Sequence, residues 1–120
     1  MRRLLAAAAI IALPLILSTG CSESPGPSDS APPERQTIEI TFSDGSVTPN
    51  GERVQIEAGT PIELVVKSDT AGELHVHSSP EQQLEYGAGT TTLKLTIQTP
   101  GVVDIESHSP ARTIVQLEVR

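Results

Sequence analysis

Sulfur and aromatic side chains are nearly missing from this 120-residue chain, which holds one cysteine, one methionine, one tyrosine, one phenylalanine and no tryptophan. A lone cysteine excludes an intramolecular disulfide framework. With only Phe42 and Tyr86 as rings, any core has to be built from valine, isoleucine and leucine. Long apolar runs are scarce as well. The run Leu4 to Leu17 holds fourteen residues and as a helix spans about 21 Å, short of the roughly 20 residues a bilayer crossing needs. Basic residues are few beyond position 20, six against fifteen acidic ones, a net charge of −9 for that part of the chain. Such a surface repels nucleic acid and anionic lipid, which argues against either as a partner.

What stands at the N-terminus is a pattern with a chemical logic. Arg2 and Arg3 precede the apolar run, and the small residues Ser18, Thr19 and Gly20 lead directly into Cys21. This is the layout of a secretory signal whose cleavage site exposes a cysteine. A peptidase must close on extended backbone there, and the thiol must be free to take a diacylglycerol. With no second cysteine to pair with, Cys21 is expected to be lipidated. Each buried methylene of an acyl chain contributes about 0.8 kcal/mol, and two chains hold a protein on a membrane far better than one. Residues 1–20 are therefore read as a lipoprotein signal peptide. The expected location is extracytoplasmic, anchored by lipid to a bacterial cell membrane. The paired arginines are those of any positive n-region and do not argue for export of a prefolded protein.

Residues 21–35 are read as the lipidated cysteine and its tether. Ser22 to Arg35 contains four prolines and four serines and no apolar residue larger than alanine. Such a segment cannot bury surface and acts as an extended spacer. Residues 36–120 then form one domain, and its apolar residues recur with period two. Ile38, Ile40 and Phe42 alternate with polar residues, as do Val54 and Ile56, then Ile62, Leu64 and Val66, then Leu93, Leu95 and Ile97, and finally Val115, Leu117 and Val119. Each set reads as a half-buried strand. Turn signals fall between them at Pro49-Asn50-Gly51, Gly59-Thr60-Pro61 and Pro100-Gly101, the Asn-Gly pair suiting a two-residue hairpin. No stretch has a helical period. Seven or eight such strands imply an all-β fold, a small antiparallel Greek-key sandwich or barrel.

All three histidines lie on two further strands. In Gly72-Glu73-Leu74-His75-Val76-His77 the alternation places His75 and His77 on one face, and in Val103-Asp104-Ile105-Glu106-Ser107-His108 it places His108 with Asp104 and Glu106. Two imidazoles at i and i+2 on a strand, joined by a third from a neighbour, can form a three-nitrogen metal site, with acidic neighbours orienting the rings. The alternative is that the same histidines are the polar side of a solvent-facing strand. Ser107 and His108, adjacent on a strand, point to opposite faces and cannot form a nucleophile and its base. Tyr86 is read as a packing residue, and no phosphate-cradling glycine loop is present.

The order of these short motifs carries a resemblance. From Gly59 to Val119 the chain looks like the C-terminal part of a cupredoxin-like domain. Gly59-Thr60-Pro61 opens a strand, Ala71-Gly72-Glu73-Leu74 precedes His75, Thr99-Pro100-Gly101-Val102-Val103 enters the penultimate strand, and Leu117-Glu118-Val119 ends the last. It resembles small envelope proteins of this fold that carry His-Val-His and, after a Pro-Gly turn, Glu-x-His. In copper-carrying members the penultimate strand ends in a cysteine, a second histidine follows, and a methionine commonly completes the site. Here His75 falls at the first-histidine position, but Ser107 stands where that cysteine would be and Pro110 stands near the second histidine, while Met1 is the sole methionine. A hydroxyl does not replace a thiolate as a soft ligand, so blue-copper electron transfer is excluded.

Two functions follow as expectations. The first is a lipid-anchored envelope protein that binds copper, as Cu(II), or zinc through His75, His77 and His108, in metal handling or storage. The second is a metal-free module of the same fold that binds another envelope protein. An enzyme is not expected. A three-histidine zinc hydrolase is the remaining catalytic alternative.

Overall fold

The computed structural model describes residues 34–120, so the signal peptide at 1–20, Cys21 and most of the tether lie outside the described residues. Among the described residues there is no helix. Nine strands follow one another: β1 Gln36–Ser43, β2 Ser46–Thr48, β3 Glu52–Ile56, β4 Pro61–Ser68, β5 Gly72–Val76, β6 Gln82–Tyr86, β7 Gly89–Thr96, β8 Gly101–His108 and β9 Ala111–Val119. They form a four-stranded sheet in the order β2-β1-β4-β7 and a five-stranded sheet in the order β3-β9-β8-β5-β6.

Alternation explains why these segments pair face to face. Ile38, Ile40 and Phe42 on β1, and Ile62, Leu64 and Val66 on β4, point from the first sheet into the space between the two. Leu74 and Val76 on β5, Val103 and Ile105 on β8, and Leu117 and Val119 on β9 answer from the second. Fully burying an aliphatic side chain of this size contributes about 1.5–3 kcal/mol. The two rings of the chain bridge the sheets, Phe42 stacking on Tyr86 with centroids 5.0 Å apart and planes 16° from parallel. Tyr86 pairs with Gly72 across β5 and β6. A Cβ at Gly72 would stand 2.6 Å from Cζ of that ring, so the phenol needs a residue without a side chain there.

The all-β sandwich expected from the sequence is present, with two differences in connection. First, β1 pairs with β4, and β3 with β9, in parallel. Parallel neighbours arise because the chain changes sheets between consecutive strands five times, so nearest neighbours in space are often distant in sequence. Second, Pro49-Asn50-Gly51 is not a hairpin, since β2 and β3 lie in different sheets. It is a crossing, tied down where the Gly51 N–H reaches the carbonyls of Thr113 and Ile114 at 2.9 and 3.0 Å. The two-residue hairpin of this region is Asp44-Gly45, with φ of 53° and 72° and Ser43 opposite Ser46. Two consecutive positive φ values are what such a turn demands, and Asp-Gly supplies them.

One irregularity bears on the site. The register of β8 against β9 shifts between Ile105 and Glu106, so that Ile105 faces Val115 while Glu106 faces Thr113. The extra residue, Ile114, makes a bulge in which Ile114 and Val115 are both fully buried. The shift brings Thr113 opposite Glu106, and its hydroxyl donates to Glu106 Oε1 at 3.1 Å.

Candidate metal centre

Burial decides which way β5 and β8 present their polar residues. Leu74 and Val76 are fully buried, so Glu73 and His75 project from the outer face of the five-stranded sheet. On β8, Val103, Ile105 and Ser107 are buried, and Asp104, Glu106 and His108 share the outer face. The two strands are neighbours, with Leu74 opposite Ser107 and His75 opposite Glu106. His77 lies one residue past β5, and its N–H donates to the Asp104 carbonyl at 2.9 Å, carrying the pairing onward.

The three histidines do not meet at one point. His75 and His108 pack edge to face, with centroids 4.2 Å apart and an 82° angle between planes, while His77 lies 6.4 Å from His75. Glu73 takes the third place. One ligand atom each from Glu73, His75 and His108 lies within 4.8 Å of the other two. Tetrahedral bonds of about 2.0–2.1 Å require donor atoms roughly 3.3 Å apart. Closing the group on an ion therefore asks Glu73 Oε1 and His75 Nε2, 2.6 Å apart, to open and the more distant donor to draw in.

Carboxylates occupy both sides of His75 and of His77. Glu73 Oε1 lies 2.6 Å from His75 Nε2, and Glu81 Oε1 lies 3.4 Å from His75 Nδ1. The other oxygen of Glu81 is 4.0 Å from His77 Nδ1, and Glu106 Oε2 is 2.9 Å from His77 Nε2. A neutral imidazole has one N–H, so a ring flanked by two carboxylates leaves one of them facing a lone pair. His75 and Glu73 would hold a metal ion together once their ligand atoms, now 2.6 Å apart, open to make room for it, and Glu81 would orient the ring from its far nitrogen. That is the arrangement metal-binding histidines adopt. Two imidazoles and one carboxylate suit Cu(II) or Zn(II), whereas Cu(I) favours sulfur, which the described residues lack.

At the other end of the chain of contacts, the hydrogen bond from His77, and then the one from Thr113, hold the Glu106 carboxyl below the usual carboxylate range. Positive charge on His77 and His108 acts in the same direction. Ser107 takes no part on this face. Its hydroxyl points inward and donates to the Pro110 carbonyl at 2.6 Å.

Of the histidines read from the sequence as ligands, His75 and His108 come together and His77 stands beside them on a carboxylate of its own. Glu73 was within reach of the period-two rule, since it precedes His75 by two residues and shares its face. Glu81 had no such signal, because the turn Ser78-Ser79-Pro80 returns it beneath the rings by a path that alternation does not describe. No family model matches the sequence, and neither does any curated protein. Solved structures do. A reduced Cu(I) form of an amicyanin variant superposes with a TM-score of 0.51 at 10% identity, over 70% of this chain and 82% of that one. A blue copper oxidase from Nitrosomonas europaea matches at 0.53 and 12% identity, over 70% of this chain and 43% of the oxidase. A multicopper oxidase that functions in iron import matches at 0.54 and 11% identity, over 72% and 23%. At such identities the likeness is one of fold. The domain is a cupredoxin-like β-sandwich, and its His/Glu cluster is a different set of donors from the cysteine-containing site of the copper carriers described above.

Proposed function

We propose that this is a lipid-anchored extracytoplasmic protein whose cupredoxin-like domain binds Cu(II) or Zn(II) through Glu73, His75 and His108, and that it handles metal at the bacterial cell envelope rather than acting as an enzyme. The observation that carries the reading is the meeting of these three donors on one sheet face, with carboxylates at both nitrogens of His75. His77 and Glu81 orient the site from outside it. Calorimetric titration of the purified protein in detergent should show one Cu(II) or Zn(II) per chain, with affinity falling as the pH is lowered, because protons compete for the same lone pairs. Absence of saturable binding at neutral pH would leave the metal-free reading, in which the acidic outer face binds another envelope protein.

Anchoring rests on the signal sequence and Cys21, which lie outside the described residues; among those described, no helix is long and apolar enough to cross a membrane. Replacing Cys21→Ala should release the protein from the membrane fraction. A variant that stays in the pellet after a salt wash would show that the apolar run of residues 4–17 is retained as the anchor.

A further inference from the structure

We infer that the metal site is an exchange site, open on one side, whose fourth ligand is a neutral nitrogen donor, the imidazole of a partner protein. The inference rests on the metal-binding reading above and adds to it the chemistry of the open position.

The first ground is the supply of donors. Closed structural sites hold their ion with four protein ligands, whereas sites that exchange or react keep a position free. Among the described residues, only Glu73, His75 and His108 converge here. Glu81 faces the far nitrogen of His75, so it cannot bind an ion held at the near one. The imidazole of His77 is engaged by Glu106. Asp104 accepts from Gln116 Nε2 at 3.0 Å, and the Ser107 hydroxyl is turned into the sandwich. Glu85, opposite Glu73 on β6, falls outside the converging group, so among the described residues no fourth side chain is in place.

The second ground is access. Glu73 and His108 both line an open hollow of about 710 Å³, walled also by Gly72, Glu85 and Tyr86. A partner side chain would enter beside Glu73 and His108, since the space that a side chain at Gly72 would take is filled by the Tyr86 ring. The third ground is charge. Glu73 and Glu85 stand directly opposite each other on β5 and β6, and the part of the chain beyond residue 20 carries fifteen acids against six bases. That field repels anionic ligands and favours neutral donors presented by a basic surface. An imidazole nitrogen meets the requirement. In the exchange its lone pair replaces that of a water, and no electron moves.

The test uses the full mature protein in detergent, loaded with one equivalent of Cu(II). Electron paramagnetic resonance is recorded as imidazole labelled with nitrogen-15 is added, and in parallel as azide is added. The expected result is a spectral change that saturates at one imidazole per copper, with the ion still eluting with the protein, and an azide affinity at least about tenfold weaker. Glu85→Gln should narrow that difference. If Cu(II) does not bind at all, the metal-binding reading falls and this inference with it. If Cu(II) binds but the spectrum ignores imidazole, the site is closed and this inference alone is overturned. A wild-type protein that ignores imidazole beside a Glu85→Gln variant that responds would identify Glu85 as the fourth ligand, which also overturns it. Azide binding as tightly as imidazole would remove the preference for a neutral donor.

Discussion

The two faces of strands β5 and β8 are one residue apart and do unlike work. Toward the other sheet, Leu74, Val76 and Ile105 are wholly buried. Away from it, Glu73, His75, Glu106 and His108 stand on the outer face, His75 shielded to 14% exposure by its neighbours and Glu73 to 36%. The pleat makes this division, since successive side chains leave a strand on opposite sides. Stability is therefore concentrated on one face and chemistry on the other, and changes to one should leave the other largely intact. Ser107 of β8, which the resemblance read from the sequence sets at the cysteine position of the copper carriers, faces inward with its hydroxyl committed to the Pro110 carbonyl.

The largest effect should come from the inner face. Leu74→Ala removes a fully buried side chain and should cost about 2–5 kcal/mol in urea denaturation. Metal affinity, measured under conditions where the variant is still folded, should change little. A loss of metal binding without a loss of stability would break the division.

The outer face should answer differently. His75→Ala should cost the metal-free protein about 1 kcal/mol or less. It should nevertheless abolish most of the stabilisation that metal confers, about 2.7 kcal/mol when free metal is a hundredfold above Kd. His77→Ala separates the proposed Glu73, His75 and His108 site from a three-histidine one. Outside the donor set, it should weaken binding by about tenfold through the lost orientation of its neighbours, whereas a direct ligand would be missed as much as His75. Thermal melts with and without Zn(II) read both effects, and Ser107→Ala serves as a variant whose metal response should be that of the parent.

The smallest expected effect lies at the seam where the faces and sheets join. Burial, and then the negative charge of Asp69, raise the Tyr86 phenol above its ordinary value of 10.0. The unfolded chain ionises first as the pH rises. The stability that Tyr86 contributes is thus fully present below about pH 10 and is lost above it, as the pH climbs through the raised folded value. Because the chain has one tyrosine and no tryptophan, tyrosinate absorbance reports this residue alone. It should appear at higher pH in the folded protein than in urea, and Tyr86→Phe should flatten the alkaline end of the stability curve. Coincident titrations in the two states would show that the phenol is not shielded.

Much of the sandwich was legible because it repeats a local rule. The alternation in Ile38-Glu39-Ile40-Thr41-Phe42 and in Ile62-Glu63-Leu64-Val65-Val66 names inner and outer positions without any knowledge of partners. The rule fails where the backbone leaves it. Ile114 is buried beside Val115 because a bulge absorbs one residue. Asn50-Gly51, a hairpin by its chemistry, became a crossing between sheets because β3 is drawn to β9 rather than to β2.

The same distinction runs through the site. By itself the sequence determined that His75 shares a face with Glu73 and His77, that His108 shares one with Glu106, and that the domain offers no sulfur to a metal. Each follows from composition or from the two-residue repeat, which acts between neighbours in the chain. Only the tertiary structure decided that β5 lies against β8, that His108 meets His75 and Glu73 while His77 turns to Glu106, and that Glu81 stands at the far nitrogen of His75. Those meetings depend on which strands cross between sheets and on the path of a turn, and the burial of the whole core sets both.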